Sequence, residues 1–177
     1  MNKNKKLRLL VTKKCHNSCE KCCNKLYDLN KVPVLDRLDY EEINITGGEP
    51  LLLGEELYHL VKSLKFLSSR VNEKPCRIYV YTAIPKYKTD VLAGLIPYID
   101  GLCVTPHTDD DIEGLRRFNK FKKVINCDRL SLRMNLFADI KAKLQPEDYE
   151  GWKLKDMEWL DDCPIPTGED FKRLYQI

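Results

Sequence analysis

The chain has 177 residues, of which 43% are hydrophobic, and 30 lysines and arginines against 27 acidic residues give a formal net charge of +3 at pH 7. This size predicts a single domain over residues 1–177, with an irregular C-terminal extension over residues 138–177. So small a net charge argues against nucleic-acid binding as the function. No apolar run approaches the roughly 18 residues of a membrane span and no segment has the pattern of a signal peptide, so we expect a cytoplasmic protein with no membrane attachment.

The predicted elements alternate between strand and helix, which is the order of parallel βα units. Strands are predicted at residues 7–12, 42–46, 77–82, 101–105 and 130–137, and helices at 55–69, 90–98 and 109–121. Beyond residue 138 the pattern weakens, and we predict a last strand within 152–160 and a closing helix at 169–175. Five or six such units are too few to close an eight-stranded barrel. The predicted fold class is therefore α/β, an open partial TIM-type (βα)5–6 barrel with parallel strands.

Three cysteines follow the first predicted strand in a C-x3-C-x2-C spacing, at Cys15, Cys19 and Cys22. The residues between them are polar, which disfavours a helix that buries the three thiols as ordinary core residues. Thiolates crowded into such a loop bind soft metals or an iron–sulfur cluster, and zinc with Cys23 or His16 as fourth ligand remains an alternative on spacing alone. The other cysteines are solitary and far apart: Cys76, Cys103, Cys127 and Cys163.

The second motif, Thr46-Gly47-Gly48-Glu49-Pro50, follows the second predicted strand. The two motifs in this order resemble the radical S-adenosylmethionine (radical SAM) superfamily, so residues 1–177 are interpreted as a single radical SAM core domain. The resemblance implies that Cys15, Cys19 and Cys22 hold a [4Fe–4S] cluster and that Gly47, Gly48, Glu49 and Pro50 contact SAM. One position departs from the family pattern, because Lys21 stands where an aromatic residue usually precedes the third cysteine.

The resemblance also implies a reductive mechanism. An external donor such as flavodoxin or ferredoxin delivers an electron to the cluster, and SAM bound at the open iron is cleaved to methionine and a 5′-deoxyadenosyl radical. The radical abstracts hydrogen from a substrate, so the chain is predicted to be an enzyme, an oxidoreductase or a lyase, that works under anaerobic or reducing conditions. On this basis Gly48→Val is predicted to weaken SAM binding and to spare iron content.

Polar residues at the other strand ends complete the predicted SAM site, because chemistry in parallel βα folds gathers at the C-terminal strand ends. They are Thr82, Thr105, His107, Arg133 and Asn135. Thr105-Pro106-His107 is similar to the Ser-Pro-Lys of 7-carboxy-7-deazaguanine synthases, with histidine in place of lysine. No catalytic residue is assigned by the sequence.

Three functions remain open at this stage. The first is an enzyme that modifies a small molecule and resembles 7-carboxy-7-deazaguanine synthase; a basic Arg or Lys pocket for its substrate would support it. The second is an activase, similar to those of anaerobic ribonucleotide reductase, that installs a glycyl radical in a partner protein. The third is a non-catalytic module that binds a metal or a cluster and does not cleave SAM.

Overall fold

The computed structural model describes residues 5–125, 127–162 and 164–175. Cys163, one of the solitary cysteines, lies outside these ranges. The strands are Lys6–Leu10 (β1), Glu42–Thr46 (β2), Arg77–Thr82 (β3), Gly101–Val104 (β4), Ser131–Leu136 (β5), Lys153–Asp156 (β6) and Glu169–Arg173 (β7). The helices are Cys23–Leu26 (α1), Glu55–Val71 (α2), Thr89–Leu95 (α3), Asp109–Lys122 (α4) and Ala138–Lys141 (α5). Short 3₁₀ turns are formed by Pro50–Leu53, Ile96–Tyr98 and Pro146–Tyr149.

All seven strands of the described residues pair in parallel in a single sheet, in the order β6-β5-β4-β3-β2-β1-β7. The first six strands therefore lie in chain order, and β7 adds to the outer edge of β1. The sheet has two separate edges, β6 and β7, and does not close into a barrel. The predicted α/β class and the parallel strand arrangement are confirmed.

One face of the sheet packs against the helices and forms the main core. Alternate residues of β1 to β5 contribute to it, as strand geometry requires, and each buried aliphatic side chain contributes roughly 1.5–3 kcal/mol. The strand residues of this core include Leu9, Ile45, Val80, Val104 and Met134, and the helix residues include Leu57, Val61, Leu92, Leu115 and Phe118.

The long helices α2 and α4 begin where the sequence predicts and end two residues and one residue later than predicted, respectively. α4 begins with a complete capping box between Thr108 and Asp111, carries acids in its first turn and has Lys120 and Lys122 in its last. This charge order suits the helix dipole.

No helix in the described ranges is long and apolar enough to cross a membrane.

The opposite face of the sheet, which we call the polar face, carries the alternate strand residues. Near β1 this face is covered, because Leu10 packs against Leu29 and Val32 of the first crossover. Towards β5 and β6 it is open to solvent, and Arg133, Lys153 and Lys155 are exposed there. Other members of the polar face are Arg8, Asn44, Tyr79, Tyr81, Cys103 and Asn135.

The prediction of a closing helix at residues 169–175 is wrong. Residues Glu169–Arg173 form β7, which pairs with β1, and Phe171 packs beside Leu10 and Tyr27. Acidic residues followed by basic ones resemble a helix in the sequence, but the free edge of β1 decides the conformation. The strand predicted within 152–160 is shorter, because only Lys153–Asp156 pairs with β5.

Candidate functional site

The cysteine loop leaves the C-terminal end of β1 and runs to α1, whose N-cap is Cys22. Cys15 is exposed, Cys19 and Cys22 are half-buried, and all three are free thiols. Cys23 is disulfide-bonded, so it is not a fourth free thiol of the loop. The loop thus presents three thiols at the C-terminal end of β1.

The three thiols influence one another electrostatically. Burial raises the pKa of Cys19, and negative charge on Cys22 and Cys15 raises it further. The positive charge of a bound metal centre would offset this repulsion and keep the thiols deprotonated. In the described parts of the chain, no three Cys, His, Asp or Glu side chains already form a metal-binding group. The thiols must therefore turn towards a common centre to hold a cluster.

The Gly-Gly turn lies directly beside the cysteine loop. The Gly48 amide donates to the Thr12 carbonyl at 2.8 Å, and the Glu49 amide donates to the Lys14 carbonyl at 2.8 Å. Gly47 has φ +148°, and a Cβ on it would lie 2.4 Å from the Thr12 oxygen. Only glycine fits this backbone approach. The two motifs, far apart in sequence, are thus joined by backbone hydrogen bonds.

The Glu49 carboxylate faces the interior of the protein. Its Oε1 accepts from the Leu51 amide at 3.0 Å and from the Thr82 hydroxyl at 2.7 Å, and Oε2 accepts from the Ala83 amide at 2.8 Å. Burial raises the pKa of Glu49, against the effect of these hydrogen bonds. The side chains of Glu49 and Thr82 therefore tie the turn to the end of β3, while Pro50 begins the following 3₁₀ turn.

Asp111 in the first turn of α4 anchors the cysteine loop. Its fully buried carboxylate contacts His16 Nε2 at 2.7 Å and accepts from Asn17 Nδ2 at 2.8 Å. It also accepts from the amides of His107 and Thr108 at 2.9 and 3.0 Å. Two residues between Cys15 and Cys19 are thereby fixed to a helix almost a hundred residues further along the chain.

The His16 and Asp111 side chains carry opposite charges. Burial alone would raise the pKa of Asp111, but hydrogen bonds from His16, the His107 amide and Asn17 hold it below its usual value. Burial likewise disfavours the His16 imidazolium, but the Asp111 contact raises the pKa of His16 to about 10. His16 and Asp111 therefore form an ion pair at neutral pH.

We expect Asp111→Asn to lower the free energy of unfolding by about 2–4 kcal/mol, because an amide cannot accept all four hydrogen bonds and leaves His16 unpaired. Urea unfolding measures this loss. Asp110→Asn is the matched control, since Asp110 is exposed and pairs with Lys86 at the surface. Its cost should stay below about 1 kcal/mol. Equal effects of the two substitutions would contradict the anchoring role of Asp111.

His107 lies in an aromatic group at the ends of β4 and β5. Phe137 and Trp159 stack with centroids 4.0 Å apart, and the His107 ring lies 5.6 Å from each. Its Nδ1 is buried and has no hydrogen-bond partner in the described structure, and the same holds for His16 Nδ1. Buried polar atoms are normally paired, so these two atoms fit a polar ligand between the loop and the end of β4.

The stability of the protein should depend on the protonation of His107. Burial lowers the pKa of His107, with His16 acting in the same direction and the carboxylates of Asp111 and Asp139 opposing. The unfolded chain then binds more protons than the folded one as pH falls below about 6.5, so this histidine's contribution is lost through that range.

We expect urea unfolding to show that the stability advantage of wild type over His107→Gln is largest above pH 7 and shrinks towards pH 5. His59→Gln, in an exposed histidine of α2, is the control for losing a surface imidazole. An advantage of wild type over His107→Gln that is the same at both pH values would contradict the expectation.

The three remaining predicted residues, Thr105, Asn135 and Arg133, lie at two different heights along the strands. Thr105 and Asn135 meet at the strand ends, where Asn135 Nδ2 donates to Thr105 Oγ1 at 3.1 Å. Arg133 lies two residues earlier in β5, about 7 Å below that edge. It stacks on the Tyr79 ring at 4.9 Å.

Two contacts of the loop region were not predicted from the sequence. In the sequence, Asp111 is one of three consecutive acidic residues that are typical of a helix N-terminus. No local pattern marks it as the partner of His16. Trp159 and Asp161 follow β6, and Asp161 contacts Lys21 of the cysteine loop at 2.7 Å. A shallow cavity of about 190 Å³ lies between Trp159, Glu20 and Lys21. Both contacts depend on which strand ends are neighbours.

Compared with known proteins, the chain matches no protein-family model and no curated protein. The interpretation of this site therefore depends on its two motifs and on the geometry described above.

Proposed function

We propose that the protein is a radical SAM enzyme that acts on a small molecule. The observation that carries the proposal is the backbone pairing of the cysteine loop with the Gly-Gly turn, through Gly48 to Thr12 and Glu49 to Lys14. Three free thiols and a glycine turn at the C-terminal ends of neighbouring parallel strands support this proposal, because a cluster and a ligand of its open iron would meet there.

Cys15, Cys19 and Cys22 would hold the [4Fe–4S] cluster, and the backbone of Gly47 and Gly48 would bind SAM beside it. When bound and reduced, the cluster would supply the electron for reductive cleavage of SAM, and the chemistry on the substrate would be hydrogen abstraction. Asp111 positions the loop through His16 and Asn17, and Glu49 holds the turn from behind. The buried Nδ1 of His107, which has no partner in the described structure, would bond a polar atom of SAM or substrate in this proposal.

The polar face is the proposed substrate surface. We interpret the open sheet as a partial barrel, with this face inside it. The basic residues at its open end, Arg133, Lys153 and Lys155, favour a small-molecule substrate over a glycyl radical partner. The electron donor in this proposal is a flavodoxin or a ferredoxin, and a reducing cytoplasm would keep the cluster intact.

The test is 5′-deoxyadenosine production by anaerobically reconstituted, dithionite-reduced protein that is given SAM. We expect about four irons per chain and accumulation of 5′-deoxyadenosine. Chromatography measures the product, and metal analysis measures iron and zinc. Stoichiometric zinc that iron does not replace, with no product, would contradict the proposal. A full cluster that binds SAM without cleaving it, with substrate candidates present, would favour the non-catalytic module.

A further inference from the structure

Three cations lie side by side on the open part of the polar face. Arg133 of β5 is the direct neighbour of Lys153 in β6, and Asn135 is the neighbour of Lys155. Paired residues of adjacent strands project from the same face of a sheet. The side chains of Arg133, Lys153 and Lys155 therefore share one exposed surface, which we call the basic row.

Charge within the basic row is not balanced by the protein. Within the described ranges, no carboxylate lies within 4 Å of any of its three members, whereas Arg8 on the same face pairs with Glu169 at 3.0 Å. Like charges on neighbouring strands destabilise a sheet. An arrangement with this cost, at the opening of a proposed substrate surface, fits an external anion.

Protection of the sheet edge explains only part of the row. Lysines on an edge strand discourage pairing with another chain, and β6 is an edge. That role does not require Arg133, which lies on the inner neighbour β5. It also gives no reason for an arginine and two lysines to occupy the same face.

Arg133 is held in place for recognition. Its guanidinium stacks on the Tyr79 ring at 4.9 Å, and its Nε donates to Ser131 Oγ at 3.2 Å. A guanidinium fixed in this way keeps its remaining N–H groups free, and their planar fork matches a carboxylate or a phosphate. The neighbouring Asn135 amide and Thr105 hydroxyl add neutral polar groups at the strand ends.

We propose that the basic row binds the carboxylate or phosphate group of an anionic small-molecule substrate. This assignment rests on the proposed function, because the bound anion is a substrate only if the protein is the enzyme proposed above. Arg133 lies three strands from the strand that precedes the Gly-Gly turn, about 14 Å across the sheet. That distance is much longer than the span between the amino and carboxylate groups of one methionine. We assign Arg133 to the substrate, in contrast to the sequence prediction, and SAM binding by Arg133→Gln tests this assignment.

The first experiment titrates inorganic phosphate and, separately, malonate into the full chain before cluster reconstitution, with chloride keeping the ionic strength constant. Arginine Nε–H and lysine side-chain NMR signals report binding. We expect saturation with a dissociation constant of about 1–10 mM for at least one of the two anions, which distinguishes phosphate from carboxylate recognition. Arg133→Gln should weaken binding at least about fivefold, and Lys153→Gln and Lys155→Gln about threefold each. Lys74→Gln, an exposed lysine before β3, is the matched control and should change binding by less than about 1.5-fold.

A second experiment measures SAM binding to the reconstituted protein. We expect Arg133→Gln to leave the SAM dissociation constant within about twofold. A large loss of SAM affinity in this variant would assign Arg133 to SAM and overturn the proposal. Absence of saturable anion binding, or equal weakening by Lys74→Gln, would overturn it as well. Because the anion titration needs neither cluster nor SAM, failure of the basic row and failure of the radical SAM function are distinguishable.

Discussion

Under the proposed function, replacement of Cys19 by alanine is expected to reduce bound iron from about four atoms per chain to fewer than about one and to abolish 5′-deoxyadenosine production. Cys19 is the middle thiol of the loop, and its pKa responds to both Cys22 and Cys15, so it lies within electrostatic reach of the other two. With three thiolates available, loss of one leaves two ligands, which do not hold a four-iron cluster. Iron analysis and chromatography after anaerobic reconstitution measure the two losses.

Cys127→Ala is the matched control for this substitution. Cys127 is also a free thiol, but it is buried before β5 and belongs to the main core. The same chemical change there should leave iron content and product formation within about twofold of wild type, since only a small packing contribution is lost. If Cys127→Ala loses iron as completely as Cys19→Ala, the ligand set is wrong.

Substitution of Gly48 by alanine should cause a loss of bound iron similar to that of Cys19→Ala, but through a steric clash instead of the loss of a ligand. A Cβ at Gly48 would lie 2.0 Å from the Lys14 oxygen, 2.5 Å from the Lys14 carbonyl carbon and 2.8 Å from the Lys13 oxygen. These are backbone atoms directly before Cys15, so they cannot give way without moving the loop. We expect a loss of about 3 kcal/mol or more in unfolding free energy and a loss of most of the bound iron.

This expectation differs from the one drawn from the sequence, in which a side chain at Gly48 would weaken SAM binding and leave iron in place. Gly94→Ala is the matched control, because Gly94 lies in α3 and a Cβ there meets nothing within 4 Å. It should be neutral or stabilising by up to about 1 kcal/mol, with full iron content. Urea unfolding and iron analysis of the two variants decide the matter. Normal stability and iron in Gly48→Ala would show that the loop and the turn are not in the contact described here.

The cysteine loop is thus held from two sides. The Gly-Gly turn fixes its start through the carbonyls of Thr12 and Lys14, and Asp111 fixes its middle through His16 and Asn17. Both contacts come from residues outside the loop, so the loop owes its position to the assembled sheet edge. We therefore expect cluster uptake to depend on the folded core as well as on the three thiols.

Features that depend on local patterns could be predicted from the amino-acid sequence. Alternating and helical periodicities predict β1 to β5 and α2 to α4. The spacing of Cys15, Cys19 and Cys22 and the Gly47-Gly48 pair mark the candidate site. These signals suffice because each arises from residues that are close together in the chain.

The meeting of distant segments depends instead on the tertiary fold. The fold places residues 169–173 as β7 beside β1, turns the Glu49 carboxylate inward onto Thr82 and Ala83, and joins Asp111 to His16. It also sets Arg133 beside Lys153. Strand order, register and the burial of a charged side chain are set by the free energy of the whole assembled protein, so the residues of a single segment do not specify them.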